Sequence, residues 1–177
     1  ANYVVRITTD TGITGVGQSG AWGFPDATQK IVEQYTGYLV GQDPLRIEHI
    51  QQYLYRMRPF RGNLVSGALS AIDIALWDIK GKALGKPVHE LLGTPHRTRV
   101  RAYASMLMPD TTAEVTEAVP ALKVQRFTAV KLGWGPLGKD PRHDVALAAA
   151  AKEAAGEGVE IMIDSGLGYV ADARTAI

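Results

Sequence analysis

The chain of 177 residues contains no cysteine, which excludes a disulfide framework, a thiolate metal site and a cysteine nucleophile. It is also nearly without net charge. Against 18 acidic residues stand 19 basic ones, a balance of +1, so electrostatics offers no case for nucleic acid or an anionic membrane as partner. No apolar run approaches the roughly 20 residues that span a bilayer, and residues 1–6 show no basic stretch leading into an apolar one. These absences predict a soluble, cytoplasmic protein. What remains is ordinary globular composition, 46% hydrophobic and 21% charged, in a length that holds one good core or a small domain plus part of a larger one.

Residues 3–18 read as a β-hairpin. Tyr3, Val5, Ile7 and Thr9 alternate with Val4, Arg6 and Thr8, and Asp10-Thr11-Gly12 supplies the turn. A lone hairpin is marginal in water and needs a partner. Helical patterns follow over residues 26–39, 45–58 and 65–84. In the last of them Leu69, Ile72, Leu76, Ile79 and Ala83 form one apolar stripe, ended by Gly85 and Pro87. The hairpin is expected to pack on this stripe. Within the same helix Asp78 is expected to pair with Lys82, and Asp73 with Lys80.

Beyond Pro95 the rhythm changes to strands over 99–105, 127–132 and 159–163, alternating with helices. One helix opens with Thr111 and Glu114 at capping-box spacing, and the next with Asp140 as N-cap and Pro141 at the first helical position. Strands and helices alternating in this way predict parallel βαβ units and a domain boundary near Pro95, giving domains 1–95 and 96–177. Closing a barrel takes about eight strands, so the chain is expected to be a fragment.

Gly15-Val16-Gly17-Gln18-Ser19-Gly20 matches the dinucleotide pattern G-x-G-x-x-G, but that pattern holds a pyrophosphate only between a strand and a helix N-terminus. Here the glycines end a hairpin, so the cofactor reading is rejected in favour of a mobile loop with exposed aromatics. His49, His89, His96 and His143 have no metal-ligand spacing and read as surface or packing residues. Asp164 follows the apolar strand Glu160-Ile161-Met162-Ile163, and Lys131 ends a strand in the same way. Each is open to a bland reading, a loop aspartate beside Gly166 and a solvated lysine. On successive parallel strands, however, both would face one mouth, where barrel enzymes place their catalytic groups.

The run Ala68-Leu69-Ser70-Ala71-Ile72-Asp73-Ile74-Ala75-Leu76-Trp77-Asp78-Ile79-Lys80-Gly81-Lys82, continued by Pro87-Val88-His89-Glu90-Leu91-Leu92-Gly93, resembles the signature of the mandelate racemase and muconate lactonizing enzymes of the enolase superfamily. The resemblance covers essentially the whole chain and is nearest to the mandelate racemase branch. It implies an α/β protein, with an α+β capping domain lacking its first strand followed by the first part of a (β/α) TIM-type barrel. It also implies a magnesium cofactor, a small-molecule carboxylate substrate, homo-oligomers at full length, and a base that removes the proton alpha to the substrate carboxylate.

On this resemblance Asp164 matches the first of three metal-binding carboxylates, the other two falling beyond Ile177. Lys131 matches the first lysine of a Lys-x-Lys motif whose second lysine, the usual base, is replaced by Gly133. Gly166 stands where some sugar-acid dehydratases carry a histidine. Trp22, Phe24 and Arg61 fall on segments similar to the two capping loops that contact substrate, with packing as the competing reading. The expected activity is dehydration of a sugar acid. The rivals are a racemase, an epimerase, a cycloisomerase, or a catalytically incompetent fragment that serves as an interaction domain.

Overall fold

The computed structural model describes residues 3–20, 23–57, 59–94 and 96–169. Two compact units divide the chain, Ala1–His96 and Arg97–Ile177. In the first, strands β1 (Tyr3–Thr8) and β2 (Thr14–Ser19) pair antiparallel with Val5 opposite Gly17. Helices α1 (Pro25–Leu39), α2 (Ile47–Arg56), α3 (Asn63–Leu84) and the short α4 (Val88–Leu92) follow. The fourth was not anticipated; it is a single turn entered from the extended backbone of Pro87. Helix α2 is shorter than its pattern because Asp43 holds the preceding turn, its side chain accepting from the Leu45 amide at 2.9 Å.

The hairpin packs on α3, as its alternation requires. Val5, Tyr35, Ile50, Leu54, Ile72 and Leu76 form the core of this unit. The contact between β2 and α3 is backbone-close: a Cβ on Gly17 would run into the Ala71 carbonyl oxygen, and one on Gly15 into that of Ala75. Strand period two thus meets helix period four through paired small residues. The first two glycines of the dinucleotide-like pattern are therefore packing residues inside an antiparallel strand, not part of a mobile loop.

Asp78 locks the same contact, accepting from the Val16 amide at 2.9 Å and from Lys82 at 2.7 Å, while Lys82 also donates to the Thr14 carbonyl. By Ala83 the helix has passed the end of β2, and that residue is exposed rather than in the stripe. The expected Asp73 and Lys80 pair is absent among the described residues. Two helical turns separate them by about 10 Å along the axis. Lys80 lies instead over the Trp77 ring, and Asp73 lines a 450 Å³ cleft between α2 and α3, where burial raises its pKa.

In the second unit β3 (Ala104–Leu107), β4 (Ala129–Gly133) and β5 (Glu160–Asp164) form a parallel sheet in that order, joined by α5 (Thr112–Val124) and α6 (Pro141–Ala155). The architecture is thus an α+β capping region followed by alternating strands and helices of an open, incomplete barrel. The first of these strands runs over 104–107 rather than 99–105. Its upstream residues do not join the ladder, because the Thr128 carbonyl accepts from the Arg101 guanidinium at 2.7 Å and from the Glu160 amide. Ala104, Val130 and Leu132 pack against Val115 and Val119 of α5 and Leu147 and Ala151 of α6. The opposite face of the sheet carries Ser105, Lys131, Gly133, Met162 and Asp164, since neighbours in a parallel ladder point the same way.

Thr111 closes the capping box with Glu114, accepting from the Glu114 amide while the glutamate accepts from the Thr111 amide at 2.9 Å. Replacing Thr111 with alanine is expected to cost about 1 kcal/mol, read as a lower urea midpoint with an unchanged slope.

Candidate active site

Lys131 and Asp164 meet at the C-terminal ends of β4 and β5. In the ladder Lys131 is level with Met162 and Gly133 with Asp164, so the lysine reaches up one residue pair to its partner. Its Nζ lies 3.2 Å from Asp164 Oδ2, with both side chains partly open to solvent. The Gly166 amide donates to the other oxygen, Oδ1, at 3.1 Å. Tyr103 completes the neighbourhood, its ring centroid 5.7 Å from the ammonium. At the opposite end of the sheet Arg101 pairs with Glu160 at 2.9 Å, a structural contact that ties the strand beginnings.

The Gly166 amide, and after it Lys131, hold the Asp164 carboxyl below the usual aspartate range. Because the folded pKa is depressed, the stabilisation is fully present above the unfolded pKa and is lost as pH falls through the folded value. Carbon-13 titration of the Asp164 carboxyl is therefore expected to show ionisation persisting below pH values of about 4, where a free aspartate is half protonated. A midpoint at or above that value would remove the electrostatic basis for a cation-binding carboxylate.

Two glycines shape the mouth. A Cβ on Gly133 would stand 2.8 Å from the Asp164 Cβ, so a side chain at this position would displace the strand end. Gly166 has φ +59, and a Cβ there would meet the Trp134 ring at 2.7 Å. The positions of the second lysine and of the dehydratase histidine are thus closed to any side chain in this geometry.

The other sequence-derived candidates belong to the first unit. Trp22 lies outside the described residues. Phe24 is exposed just before α1, its carbonyl accepting from the Thr28 amide. Arg61 donates from Nε to the Tyr55 carbonyl at 2.8 Å and stacks its guanidinium 4.0 Å over the Tyr55 ring centroid. His49 contacts the Tyr38 hydroxyl and His143 the Asp110 carbonyl. No group of three or more metal-binding side chains occurs among the described residues. Asp144, which the sequence reading passed over, is buried between the two loops that flank the strand ends. Its only sequence signal was an acidic residue in the first turn of an alanine-rich helix.

A carboxylate and an ammonium at adjacent C-terminal strand ends of a β/α unit occupy the face at which barrel enzymes carry their chemistry. Comparison with known proteins shows the family. Residues 1–93 match the model of the mandelate racemase / muconate lactonizing enzyme N-terminal domain, and the chain belongs to that family of the enolase superfamily. It is 38% identical over 167 residues to the D-galactonate dehydratase of Pectobacterium atrosepticum, covering 90% of this chain and 44% of the relative. The D-galactonate dehydratase of Ralstonia pickettii is 37% identical over the same shares. The crystal structure of the 3,6-anhydro-D-galactonate cycloisomerase from Zobellia galactanivorans superposes with a TM-score of 0.84 at 33% identity, over 98% of this chain and 49% of that one. The chain thus spans less than half the length of these relatives. No helix among the described residues is long and apolar enough to cross a membrane.

Proposed function

We propose that the full-length protein is a magnesium-dependent dehydratase of a sugar acid, initiating the reaction by removal of the proton alpha to the substrate carboxylate. The observation that carries this reading is the Lys131 and Asp164 pair at the strand ends, in a chain similar to two D-galactonate dehydratases. Asp164 suits magnesium in part: it is a hard oxygen donor, ionised and partly exposed, but it is one carboxylate where octahedral coordination takes several oxygens. Magnesium, when bound, supplies positive charge where loss of the α-proton leaves negative charge.

This chain's own residues have definable parts. Asp164 offers one cation ligand, which Lys131 and the Gly166 amide orient from either side. Lys131 brings a fixed positive charge to the substrate carboxylate and stabilises the charge that develops as the α-proton leaves. With position 133 closed to a side chain, the base is a residue further along the barrel, or else Lys131 in its neutral form, which then replaces its role as a fixed charge. Phe24 and Arg61, with Trp22, are proposed as substrate contacts from the capping loops, the arginine suiting an acidic or hydroxylated ligand. A cytoplasmic homo-oligomer of the mandelate racemase branch remains part of this reading.

Similarity to a cycloisomerase favours a second reading, in which the same proton abstraction leads to ring opening or closure rather than loss of water. Incubating a chain extended to the relatives' length with a panel of sugar acids, D-galactonate included, and magnesium chloride decides between them. A 2-keto-3-deoxy product lighter than its substrate by one water supports dehydration, a product of mass equal to its substrate supports the second reading, and formation of neither product from any acid of the panel overturns both.

A further inference from the structure

We propose that Asp144 is a positioning residue that clamps the loop after β4 to the loop after β5 and thereby holds the Asp164 carboxylate in its working orientation. The inference rests on the reading of Lys131 and Asp164 as the reacting site. Asp144 lies in the first turn of α6 and is 6% exposed, an unusual degree of burial for an aspartate. Its Oδ2 accepts two hydrogen bonds, from the Gly138 amide at 2.9 Å and from the Tyr169 hydroxyl at 2.8 Å. Gly138 belongs to the loop after β4 and Tyr169 to the loop after β5, so one oxygen bridges both. Its Oδ1 is buried with no partner among the described residues. A carboxylate desolvated this far is costly unless its bonds serve a purpose, and here they join segments that share no helix or strand.

The bridge extends to Asp164 through contacts on both loops. The Trp134 amide donates to the Asp164 carbonyl at 2.9 Å, and the Trp134 ring covers Gly166 closely enough to exclude a Cβ. Gly166 in turn donates to Asp164 Oδ1. Further along, Gly138 and Gly168 touch backbone to backbone, which fixes the separation of the two loops on the Asp144 side. Releasing Gly138 and Tyr169 frees the loop that carries Trp134, and with it the amide that aims the Asp164 carboxylate. The Gly166 amide is the group one step removed from the proposed metal ligand, where such contacts commonly govern affinity, and Asp144 acts on it through the two loops.

The test compares Asp144→Ala, Asp144→Asn and Tyr169→Phe with the parent in a chain extended to the relatives' length. It measures amide hydrogen exchange and the affinity for magnesium chloride by calorimetry. Asp144→Ala is expected to speed exchange of the Trp134 amide, which does not itself bond to Asp144, by about 10-fold or more, and to weaken magnesium binding about 10- to 100-fold. Amides inside α6 and in the first unit keep their parent rates. Asn at 144 retains an acceptor oxygen for Gly138 and Tyr169 and is expected to restore both readouts to within about 3-fold, with Tyr169→Phe intermediate.

Unchanged Trp134 exchange in Asp144→Ala overturns the proposal, as does faster exchange spread evenly over the second unit, which marks a plain stabilising role. If Asp144→Ala does not fold, Tyr169→Phe decides by the same criterion. Should the parent bind no magnesium, the functional reading fails, while Trp134 exchange still settles the clamp.

Discussion

Asp164→Asn, in a chain extended to the relatives' length, is expected to lower magnesium-dependent turnover of a sugar acid on the order of 10³-fold. The substitution keeps the shape of the side chain but removes the charge that Lys131 and a hard cation both need. Because Asp164 is partly exposed at a strand end, circular dichroism and the thermal midpoint should stay close to the parent values. Lys131→Ala is expected to act on the same step by a smaller factor, about 10²-fold, mainly in kcat if the lysine stabilises developing charge. Addition of excess magnesium should recover part of the Asp164→Asn loss and none of the Lys131→Ala loss. Unchanged turnover in either variant would return that residue to its bland reading as a loop or surface side chain.

Gly17→Ala carries the largest expected effect on stability. A single added methyl at this position points into the Ala71 carbonyl oxygen, and its strand neighbour Gly15 faces Ala75 in the same manner. Neither obstacle is the end of a flexible side chain, so relief requires the hairpin to lift from α3. That movement would open the contact with Ile72 and Leu76 and stretch the bonds from Val16 and Thr14 to Asp78 and Lys82. Overpacking of this kind costs about 3 kcal/mol, which for a unit of this size lowers Tm on the order of 10 to 20 °C. Gly20→Ala is the internal control, because a Cβ there meets nothing. Equal midpoints for Gly17→Ala and Gly20→Ala, measured by scanning calorimetry, would show that the hairpin does not approach α3 as described.

Much of the fold was legible because the interactions that set it are local. Thr111 and Glu114 are three residues apart, so the capping box is written in the sequence and forms as written. Asp140 and Pro141 likewise open α6, and Gly85 ends α3 in the left-handed region that its missing side chain allows. The Asp78 and Lys82 pair was readable from helical spacing, whereas Asp73 and Lys80 share a face but stand too far apart to touch. The strand before α5 was misplaced because its ladder begins only where β4 offers free backbone groups. Thr128 had already committed its carbonyl to Arg101, a residue 27 positions away in the sequence.

By itself the sequence determined the strand and helix types, the caps, the apolar face of α3 and the family signature, all of which depend on neighbours within a few residues. Tertiary structure alone decided that Gly15 and Gly17 are a packing seam. It also decided that Lys131 touches Asp164 across 33 residues, and that Asp144 joins two loops from beneath them. The physical reason is common to these cases. Each contact pairs a residue with a partner on another element, and a parallel sheet built through helical crossovers brings such partners together by register and twist, which no local periodicity encodes.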